Sequence, residues 1–376
     1  MKTYFTFCAL FALVFLGCSK SDDPSSEVEG GKSIDADYIV LLSKDGILKP
    51  QLLNANAEVV TLNPAESSLT EKANPDLSFV DGANFIQYHK DGTCNAQVIS
   101  HNFKNDTNKE IAAFSDLDDC NLTAKAIAKS DDFLFISYEL TGSNSSAYFV
   151  RIIDLGASEL SAIDVTLDKN PVDLAVANNR LFILTSDGLM TEEHSLSVMD
   201  ISNNTLIHEL DLGFRARRIF TDVQQNIIIS NDALHTTLNS ATMAYEYTQY
   251  DNATAPNFST SESTNFDLSG RLFYPMNPGE NSSYPLVPAI YDFSKKRVTL
   301  YAYENFLTEA KRNFEYEIET TATIGYDEAN GLMLIGYQKM NSASKLGGLL
   351  RIRLAPEPAV IDNIDLDGVP YEIIIN

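Results

Sequence analysis

The stretch NPVDLAVANNRLFILTSDGLMTEEHSLSVMDISNNTLIHELDLG, residues 170–213, decides the fold of this chain. It contains four apolar runs with strand-like composition, and Gly, Asn, Asp and Ser residues separate them. The run that starts at Pro171 would be the first strand, and Asn178-Asn179-Arg180 would turn the chain into the second. The four runs are Pro171–Val176, Leu181–Thr185, Leu196–Ile201 and Thr205–Leu212. Such a unit is typical of a four-stranded antiparallel sheet.

The second of these runs recurs along the chain. Most intervals between the centres of its copies are 44 to 49 residues, and the last is about 60. The seven copies are Tyr38–Leu42, Phe85–Tyr88, Phe133–Ile136, Leu181–Leu184, Ile227–Ile229, Leu272–Tyr274 and Leu332–Ile335. A period in the forties with several strands per unit is typical of a β-propeller, in which each blade is a four-stranded sheet. The sequence therefore predicts an all-β, seven-bladed β-propeller.

The two ends of the chain complement each other. Val369–Asn376 begins like the first strand of a blade, with Pro370 in the place of Pro171. Conversely, Tyr38–Leu42 has no inner strand before it. We expect the C-terminal strand to join the N-terminal blade and close the ring, because closure removes both free sheet edges. A pair of β-sandwiches is the alternative, and it leaves this complementarity unexplained.

Residues 170–213 also resemble a known family. The Pro-x-x-hydrophobic start and the third strand with its turn, SVMDISNNTL (residues 197–206), are similar to the YVTN-type repeat of bacterial surface propellers. The resemblance is partial over residues 121–169 and 213–232. It implies a propeller fold and no particular activity, because this scaffold serves many functions.

The N-terminus predicts export. Met1–Gly17 has a lysine near its start and a twelve-residue apolar run from Phe5 to Leu16, which is the pattern of a secretory signal. A bilayer span takes about 20 residues, so this run is too short to be one. We therefore expect residues 1–17 to be a signal peptide.

Cys18 follows the predicted signal directly. Phe15-Leu16-Gly17-Cys18 resembles the lipobox of bacterial lipoproteins, in which the cysteine becomes the acylated N-terminus; the family prefers Leu where Phe15 stands. The acidic Ser19–Asp23 is similar to the signal that sends some Gram-negative lipoproteins to the outer face of the outer membrane. The resemblance implies lipidation at Cys18 and a surface-exposed domain. Residues 19–35 are rich in Ser, Asp, Glu and Gly and have no apolar periodicity, which predicts a flexible tether over residues 18–36. The β pattern then predicts the propeller domain over residues 37–376.

Charge restricts the partners. The formal net charge is −25, and such an acidic chain repels phosphate backbones, so we predict no nucleic-acid partner. No second apolar run is long enough to cross a membrane, which leaves the lipid as the predicted membrane attachment.

Cys94 and Cys120 are the two cysteines beyond the predicted lipid site. Asn95–Phe103 and Lys109–Leu117 read as strands around turn-forming residues 104–108, and the resulting hairpin would bring Cys94 opposite residues near 118–120. Paired thiols in an exported protein usually oxidise, so we predict a Cys94–Cys120 disulfide. Two free buried thiols are the alternative. A metal site is less favoured, because no Cys-x-x-Cys or His pair stands nearby.

Arg215, Arg217 and Arg218 form the one basic cluster of this acidic chain. By the repeat alignment they open an inner strand, which borders the central channel of a propeller. Guanidinium groups there could bind an anionic ligand as planar, bidentate donors. Alternatively, they form ion pairs with carboxylates at a blade junction.

Residues 238–284 depart from the period. Thr236–Ser240, Asn252–Thr264 and Asn277–Ser283 are rich in Ser, Thr, Asn and Pro and are predicted to be loops, which either carry function or are tolerated insertions. We expect the tyrosines at 245 and 247 to be strand residues that pack at the core or an edge. The stretch Phe306–Phe314 is the best helical candidate.

Linear motifs of chemistry are missing from the sequence. Asn363–Gly368 begins like a calcium loop, but Ile374 stands at the twelfth position, where an EF-hand needs Glu. We read this segment as an outer strand with Ile364 and Leu366 on its buried face. The five histidines are scattered, and no nucleophile elbow, phosphate loop or dinucleotide fingerprint occurs. We therefore assign no catalytic residue, metal ligand or cofactor.

Non-catalytic binding is the leading functional hypothesis. The chain resembles surface propeller lipoproteins that capture nutrients beside TonB-dependent transporters, including ones that hold ferric siderophores. That resemblance implies a small-molecule or glycan ligand and an outer-membrane transporter as partner. The alternatives are a metal-dependent propeller hydrolase, lactonase-like or glycan-cleaving, and an adhesion or protein-interaction scaffold.

Overall fold

The structure, a computed structural model, describes residues 34–117, 119–142, 145–157, 161–188, 193–251, 255–258, 265–280, 282–340 and 345–376. The predicted signal peptide, Cys18 and most of the predicted tether lie outside these residues. Ile34 and Ala36, at the end of the predicted tether, are buried against the domain. The carbonyl oxygens of both residues accept hydrogen bonds from the Asn376 side chain.

The described residues are almost entirely β-structure. Their strands are β1 (Tyr38–Lys44), β2 (Ile47–Ala55), β3 (Val60–Leu62), β4 (Lys72–Ala73), β5 (Leu77–Asp81), β6 (Asn84–Lys90), β7 (Ala96–Asn102), β8 (Thr107–Ile111), β9 (Leu122–Lys129), β10 (Phe133–Thr141), β11 (Ser146–Asp154), β12 (Ala162–Leu167), β13 (Asn170–Ala177), β14 (Arg180–Ser186), β15 (Glu193–Asp200), β16 (Thr205–Phe214), β17 (Arg218–Thr221), β18 (Asn226–Ser230), β19 (Leu234–Asn239), β20 (Tyr245–Gln249), β21 (Asn265–Phe266), β22 (Arg271–Met276), β23 (Val287–Asp292), β24 (Arg297–Leu300), β25 (Ile318–Asp327), β26 (Leu332–Lys339), β27 (Gly347–Arg353), β28 (Ala359–Leu366) and β29 (Val369–Ile375). Short 3₁₀-helices cover Asp119–Asn121 and Tyr303–Asn305, and a π-helical turn covers Lys311–Glu315.

These strands form seven antiparallel sheets, the blades of a closed β-propeller. From the inside of the ring outward, the blades are β29-β1-β2-β3 (blade 1), β5-β6-β7-β8 (blade 2), β9-β10-β11-β12 (blade 3), β13-β14-β15-β16 (blade 4), β17-β18-β19-β20 (blade 5), β21-β22-β23-β24 (blade 6) and β25-β26-β27-β28 (blade 7), with β4 paired to β2. The prediction of a seven-bladed propeller is confirmed. The seven apolar runs that predicted it lie in the second strand of each blade.

The second strands carry that signal because neighbouring blades cover both of their faces. In β14, for example, Leu181, Phe182, Ile183 and Leu184 are all fully buried, so the strand needs a continuous apolar run rather than an alternating one. The outer strand β16 of the same blade is mostly exposed, and its sequence is more polar.

Ring closure follows the prediction. Strand β29 pairs with β1 in antiparallel register, from Tyr38 opposite Ile375 to Ser43 opposite Val369. The seam with blade 7 also contains a buried polar network, in which Tyr38 donates a hydrogen bond to Asp327 and the Arg351 guanidinium contacts the Tyr38 hydroxyl. Chain ends that are far apart in sequence thus complete one sheet.

The antiparallel meander gives the ring two distinct faces. The turn face carries the hairpin turns between first and second strands, such as Asn178-Asn179, whose positive φ angles suit asparagine. The loop face carries the connections between blades, such as the described residues of the segments 112–121 and 250–264. Because β1 begins beside the end of β29, the chain enters the domain on the turn face.

Several local predictions need correction. The predicted loop 236–240 lies mostly in strand β19, because its backbone pairs with β18 despite its polar composition. The predicted strand 109–117 ends at Ile111, and the chain then turns. Tyr245 and Tyr247 lie on β20, the edge strand of blade 5, which is the second of the two positions that the sequence predicts, and their side chains are exposed there. Asn363–Gly368 does lie at the end of the outer strand β28, with Leu366 buried.

Candidate functional site: the central channel

The inner strands of all seven blades surround a channel on the ring axis. Its volume is about 1060 Å³, which matches the upper range of small-molecule sites in proteins. The wall is mixed, with aromatic and aliphatic side chains beside charged ones. The aromatic side chains that line it are Phe79, Phe220, Phe266, Tyr326 and Tyr371.

The channel is electrostatically unlike the rest of the molecule. Its charged lining residues are four basic and four acidic ones, whereas the whole chain has a net charge of −25. They are Lys125, Lys129, Arg217, Arg218, Asp81, Asp173, Asp222 and Glu372. An anion that the acidic exterior repels therefore meets a locally balanced surface inside the channel.

The inner strands share a bulge at one level of the channel. In β9, β13, β25 and β29 the register with the second strand shifts at this level, which leaves one extra residue of each strand with no residue opposite it in the second strand: Lys125, Val172, Ala322 and Tyr371. A second shift in β25 makes Glu319 an extra residue in the same way, and Glu319 does not line the channel. In blade 5, Arg217 N and the paired residue Arg218 both face Ser230, the same two-against-one arrangement. A bulge re-aims a side chain out of the regular pleat.

The five extra residues at this level all line the channel. We call Tyr371, Lys125, Val172, Arg217 and Ala322 the collar. Because each lies in the first half of its inner strand or just before it, the collar lies toward the loop face.

The two cations of the collar have carboxylate neighbours. Lys125 Nζ lies 2.7 Å from Glu139 Oε2, and both side chains are about a quarter exposed. This contact, with a hydrogen bond from Ser146, holds the pKa of Glu139 below its usual range. Arg217 Nε lies 3.5 Å from Asp232 Oδ1, and both of those side chains are nearly half exposed, so solvent weakens this pair.

The structure separates the three arginines of the predicted basic cluster. Arg215 lies 3.8 Å from Asp232 and does not line the channel. Arg218 lines the channel, donates a hydrogen bond to Phe258 O at 3.2 Å and places its guanidinium over the Phe220 ring. Arg217 is thus the member of the cluster that is both in the channel and well exposed.

Glu372 is an acidic group of the channel wall. Its Oε1 accepts a hydrogen bond from Ile373 N at 3.0 Å, and its carboxyl also interacts with the Asn265 side chain. Although Glu372 borders the lumen, protein surrounds its carboxyl, and this burial raises its pKa to about 7. A substantial fraction of Glu372 is therefore a neutral acid at neutral pH, able to donate a hydrogen bond.

Tyr371 is held in a fixed orientation. Its hydroxyl lies 2.8 Å from Ser78 Oγ, and its ring packs edge-on against Phe85 with centroids 6.5 Å apart. Blade 2 therefore supports this blade 1 side chain. A tyrosine locked by contacts on one side presents a rigid ring to the lumen on the other.

The predicted cysteine pair is bonded in the structure. Cys94 and Cys120 form a disulfide with their Cα atoms 4.8 Å apart. It lies on the loop face and ties the β6–β7 loop to the connection between blades 2 and 3, away from the channel lining.

Two further properties concern the described residues only. Their helices are all too short and too polar to cross a bilayer. In those same residues, no three His, Cys, Asp or Glu side chains come together as a metal-binding group.

Sequence reasoning missed Lys125, Tyr371 and Glu372. The repeat pattern marks inner strands, but a bulge changes which residue of a strand faces the channel, and no local sequence signal marks a bulge here. Arg217 was found because three arginines stand out in an acidic chain.

The chain matches no protein-family model and no curated protein. It is similar in structure to a functionally unknown protein from Desulfotomaculum acetoxidans DSM 771, with a TM-score of 0.50 and 10% identity over 90% of this chain and 99% of that one. Puromycin hydrolase also has a TM-score of 0.50, with 11% identity over 88% of this chain and 54% of the hydrolase. The Neurospora crassa Pan2 WD40 domain has a TM-score of 0.44 and 8% identity, over 87% of this chain and 86% of that domain. At such identities these similarities concern the fold alone.

Proposed function

We propose that this protein is a non-catalytic binding module that takes a small ligand into its central channel. The observation that supports this is the channel itself: about 1060 Å³ lined by all seven blades, with charged, hydrogen-bonding and aromatic groups together. Ligand sites in proteins combine largely apolar walls with a few placed polar groups, as this channel does.

The proposal includes a subcellular location. Lipidation at Cys18 would anchor the domain at the outer face of a Gram-negative outer membrane, where it would capture a nutrient and pass it to an adjacent transporter. The sequence motif at residues 15–23 supports this part of the proposal. The chain enters the domain on the turn face, so the tether would leave the loop face free to receive ligand.

Thermal-shift measurements on residues 34–376 test binding. The panel contains siderophores with and without iron, haem, oligosaccharides and calcium. A ligand at 100 times its dissociation constant adds about 2.7 kcal/mol to the free energy of unfolding. We expect at least one organic compound to raise the melting temperature, and a response to calcium alone would contradict the proposal.

Variants locate the site. Ala322→Trp should fill the channel and abolish the shift, and Val172→Trp provides a second block if the first variant is unstable. Ala359→Trp, on the exposed start of β28, is the matched control and should bind like the wild type. Binding that survives both channel blocks would place the site elsewhere and overturn the channel assignment.

The proposed location at the outer membrane has a separate test. The full-length protein and a Cys18→Ala variant are expressed in a Gram-negative host, and the cells are fractionated and treated with external protease. We expect the wild type in the outer membrane and sensitive to protease, and the variant released from the membrane. Cross-linking of the anchored protein, followed by mass spectrometry, should identify a transporter neighbour.

A further inference from the structure

The collar has two unlike halves. Lys125, Val172 and Arg217 come from the consecutive blades 3, 4 and 5. Across the channel, Ala322 and Tyr371 come from the adjacent blades 7 and 1. A ligand on the axis at this level therefore has two cations on one side and a rigid phenol ring beside a small apolar side chain on the other.

We infer that the collar recognises an organic anion, a carboxylate or similar oxyanion carried on an apolar, aromatic body. The oxyanion binds between Lys125 and Arg217, and the body packs against Tyr371 above the space that Ala322 leaves open. This inference rests on the proposed binding of ligands in the channel and specifies their chemical class.

The cationic half is suited to an oxyanion. Among the residues that the structure describes, the charged contact of the Arg217 side chain is a long one, from Nε to Asp232 at 3.5 Å. Its Nη atoms can therefore turn to a ligand, and a guanidinium binds a carboxylate through two parallel hydrogen bonds. Lys125 is bound more tightly, at 2.7 Å from Glu139, and would share its charge between Glu139 and the ligand.

The opposite half is suited to a ring. Tyr371 is locked by Ser78 and Phe85, so packing a ligand against it costs little side-chain entropy. Apolar lining continues from Tyr371 through the neighbouring blades. The further residues of this wall are Phe266, Pro275, Tyr326 and Pro370.

A pair of probes isolates the charge. 2-Naphthoate and its neutral counterpart 2-naphthamide share one ring system, and calorimetric titration of residues 34–376 measures the affinity for each. We expect the carboxylate to bind at least about tenfold more tightly than the amide, because a charge-assisted hydrogen bond contributes more to affinity than a neutral one does, by about that factor in the dissociation constant. Added salt should weaken naphthoate binding more than naphthamide binding.

Collar variants assign the groups. Arg217→Met and Lys125→Met should each weaken naphthoate binding by about tenfold and leave naphthamide binding unchanged. Tyr371→Ala should weaken the binding of both compounds by a similar factor, because both share the ring system that packs against Tyr371. Lys104→Met, on an exposed turn outside the channel, is the matched control for loss of a positive charge.

Two variants should act in the opposite direction. Glu139→Gln and Asp232→Asn remove the carboxylates that compete for Lys125 and Arg217, so each should strengthen naphthoate binding several-fold. A variant that merely damages the fold cannot produce such a gain. Weaker binding in both variants would contradict the assignment of the cations.

The outcomes separate this inference from the proposed function. Equal affinity for the two probes, or no naphthoate binding at millimolar concentration, overturns the organic-anion inference. If an uncharged oligosaccharide still stabilises the wild type and Ala322→Trp abolishes that effect, channel binding stands without it. If no compound binds in the channel, both fail.

Discussion

Two connections between blades lie on the same face of the ring and are fastened by different interactions. Residues 112–121, between blades 2 and 3, are held by the disulfide at Cys120 and by the buried Arg151. Its guanidinium donates to Ala113 O at 2.7 Å and pairs with Asp116 at 2.6 Å. The Phe114 ring of this connection is also buried, between Tyr88 and Tyr138, so covalent and charged contacts add to aromatic packing here.

Residues 250–264, between blades 5 and 6, depend instead on aromatic packing in their described part. Phe258 is 1% exposed and lies against Phe220, Tyr291 and Phe293, with ring centroids 5.2 to 5.9 Å away. Within the described residues, the inner strand of blade 6, β21, covers Asn265–Phe266. Phe258 therefore supplies core contacts that a full inner strand supplies in other blades.

The difference shows two ways to fasten a long connection to a rigid scaffold. A disulfide and an ion pair tolerate polar surroundings, whereas a ring cluster needs complete burial. The following measurements would break or sharpen this comparison, and they run from the largest expected effect to the smallest.

Phe258→Ala should have the largest effect. Removing a fully buried ring typically lowers the free energy of unfolding by about 4 kcal/mol, and chemical denaturation measures the loss. Because the fully buried Phe258 ring anchors the described part of this connection in the core, the variant should also become sensitive to proteolysis there. Phe114→Ala, in the other connection, is the control: its global loss should be similar, but the disulfide should keep residues 112–121 protected. Equal proteolysis of both segments would break the comparison.

Replacing both Cys94 and Cys120 by alanine should lower the free energy of unfolding by about 3 kcal/mol, since the bridge closes a chain segment of 26 residues. Denaturant unfolding of the variant and of the reduced wild type should agree. A loss below about 1 kcal/mol would mean that the non-covalent contacts of Arg151 and Phe114 hold this connection without the disulfide.

pH distinguishes the two connections because the aromatic one has a buried histidine beside it. His235 is 2% exposed, contacts Tyr250 through Nδ1, and its burial lowers its pKa to about 4. In the unfolded chain the imidazole takes up a proton near pH 6.5. The stability that neutral, buried His235 contributes to the free energy of unfolding is therefore complete above that pH. It is lost progressively as pH falls from about 6.5 to 4.

Glu372 works in the opposite sense. Its pKa of about 7 exceeds the unfolded value of 4.5, so its contribution is complete below pH 4.5 and is lost as pH rises towards 7. Between about pH 5 and 6.5, we compare the slope of the free energy of unfolding against pH in each variant with that of the wild type. His235→Phe should make this slope more negative, and Glu372→Gln should make it more positive. His89 and His101, whose pKa values burial also lowers, remain in every variant, so the differences in slope are the readout. Parallel slopes in all three proteins would contradict both assignments.

Tyr245→Ala and Tyr247→Ala should have the smallest effects. Both rings lie exposed on the outer strand of blade 5 and contact each other at 5.2 Å. Each substitution should change the free energy of unfolding by less than about 0.5 kcal/mol. A loss comparable to that of Phe258→Ala would show that surface aromatic residues also fasten blade 5.

The sequence made the fold accessible because a propeller buries one strand of every blade on both faces. That requirement explains the seven continuous apolar runs in the sequence. Ring closure explains why the C-terminus carries an inner strand with no further strands after it. The Cys94–Cys120 disulfide could also be predicted from the sequence, because the geometry of a hairpin is set by residues that are close in the chain. The strand at residues 234–239 could not, because tertiary burial allowed Thr and His where local composition indicated a loop.

The channel shows where sequence alone stops. Composition identified the arginines as unusual, and the repeat placed them at an inner strand. Only the tertiary structure separated Arg217 from Arg215, brought Lys125 and Tyr371 to the same level through bulges, and buried Glu372 enough to raise its pKa. Periodic burial is a property of each strand and appears in its sequence. A site assembled from one residue per blade depends on the register between strands, which no single strand encodes.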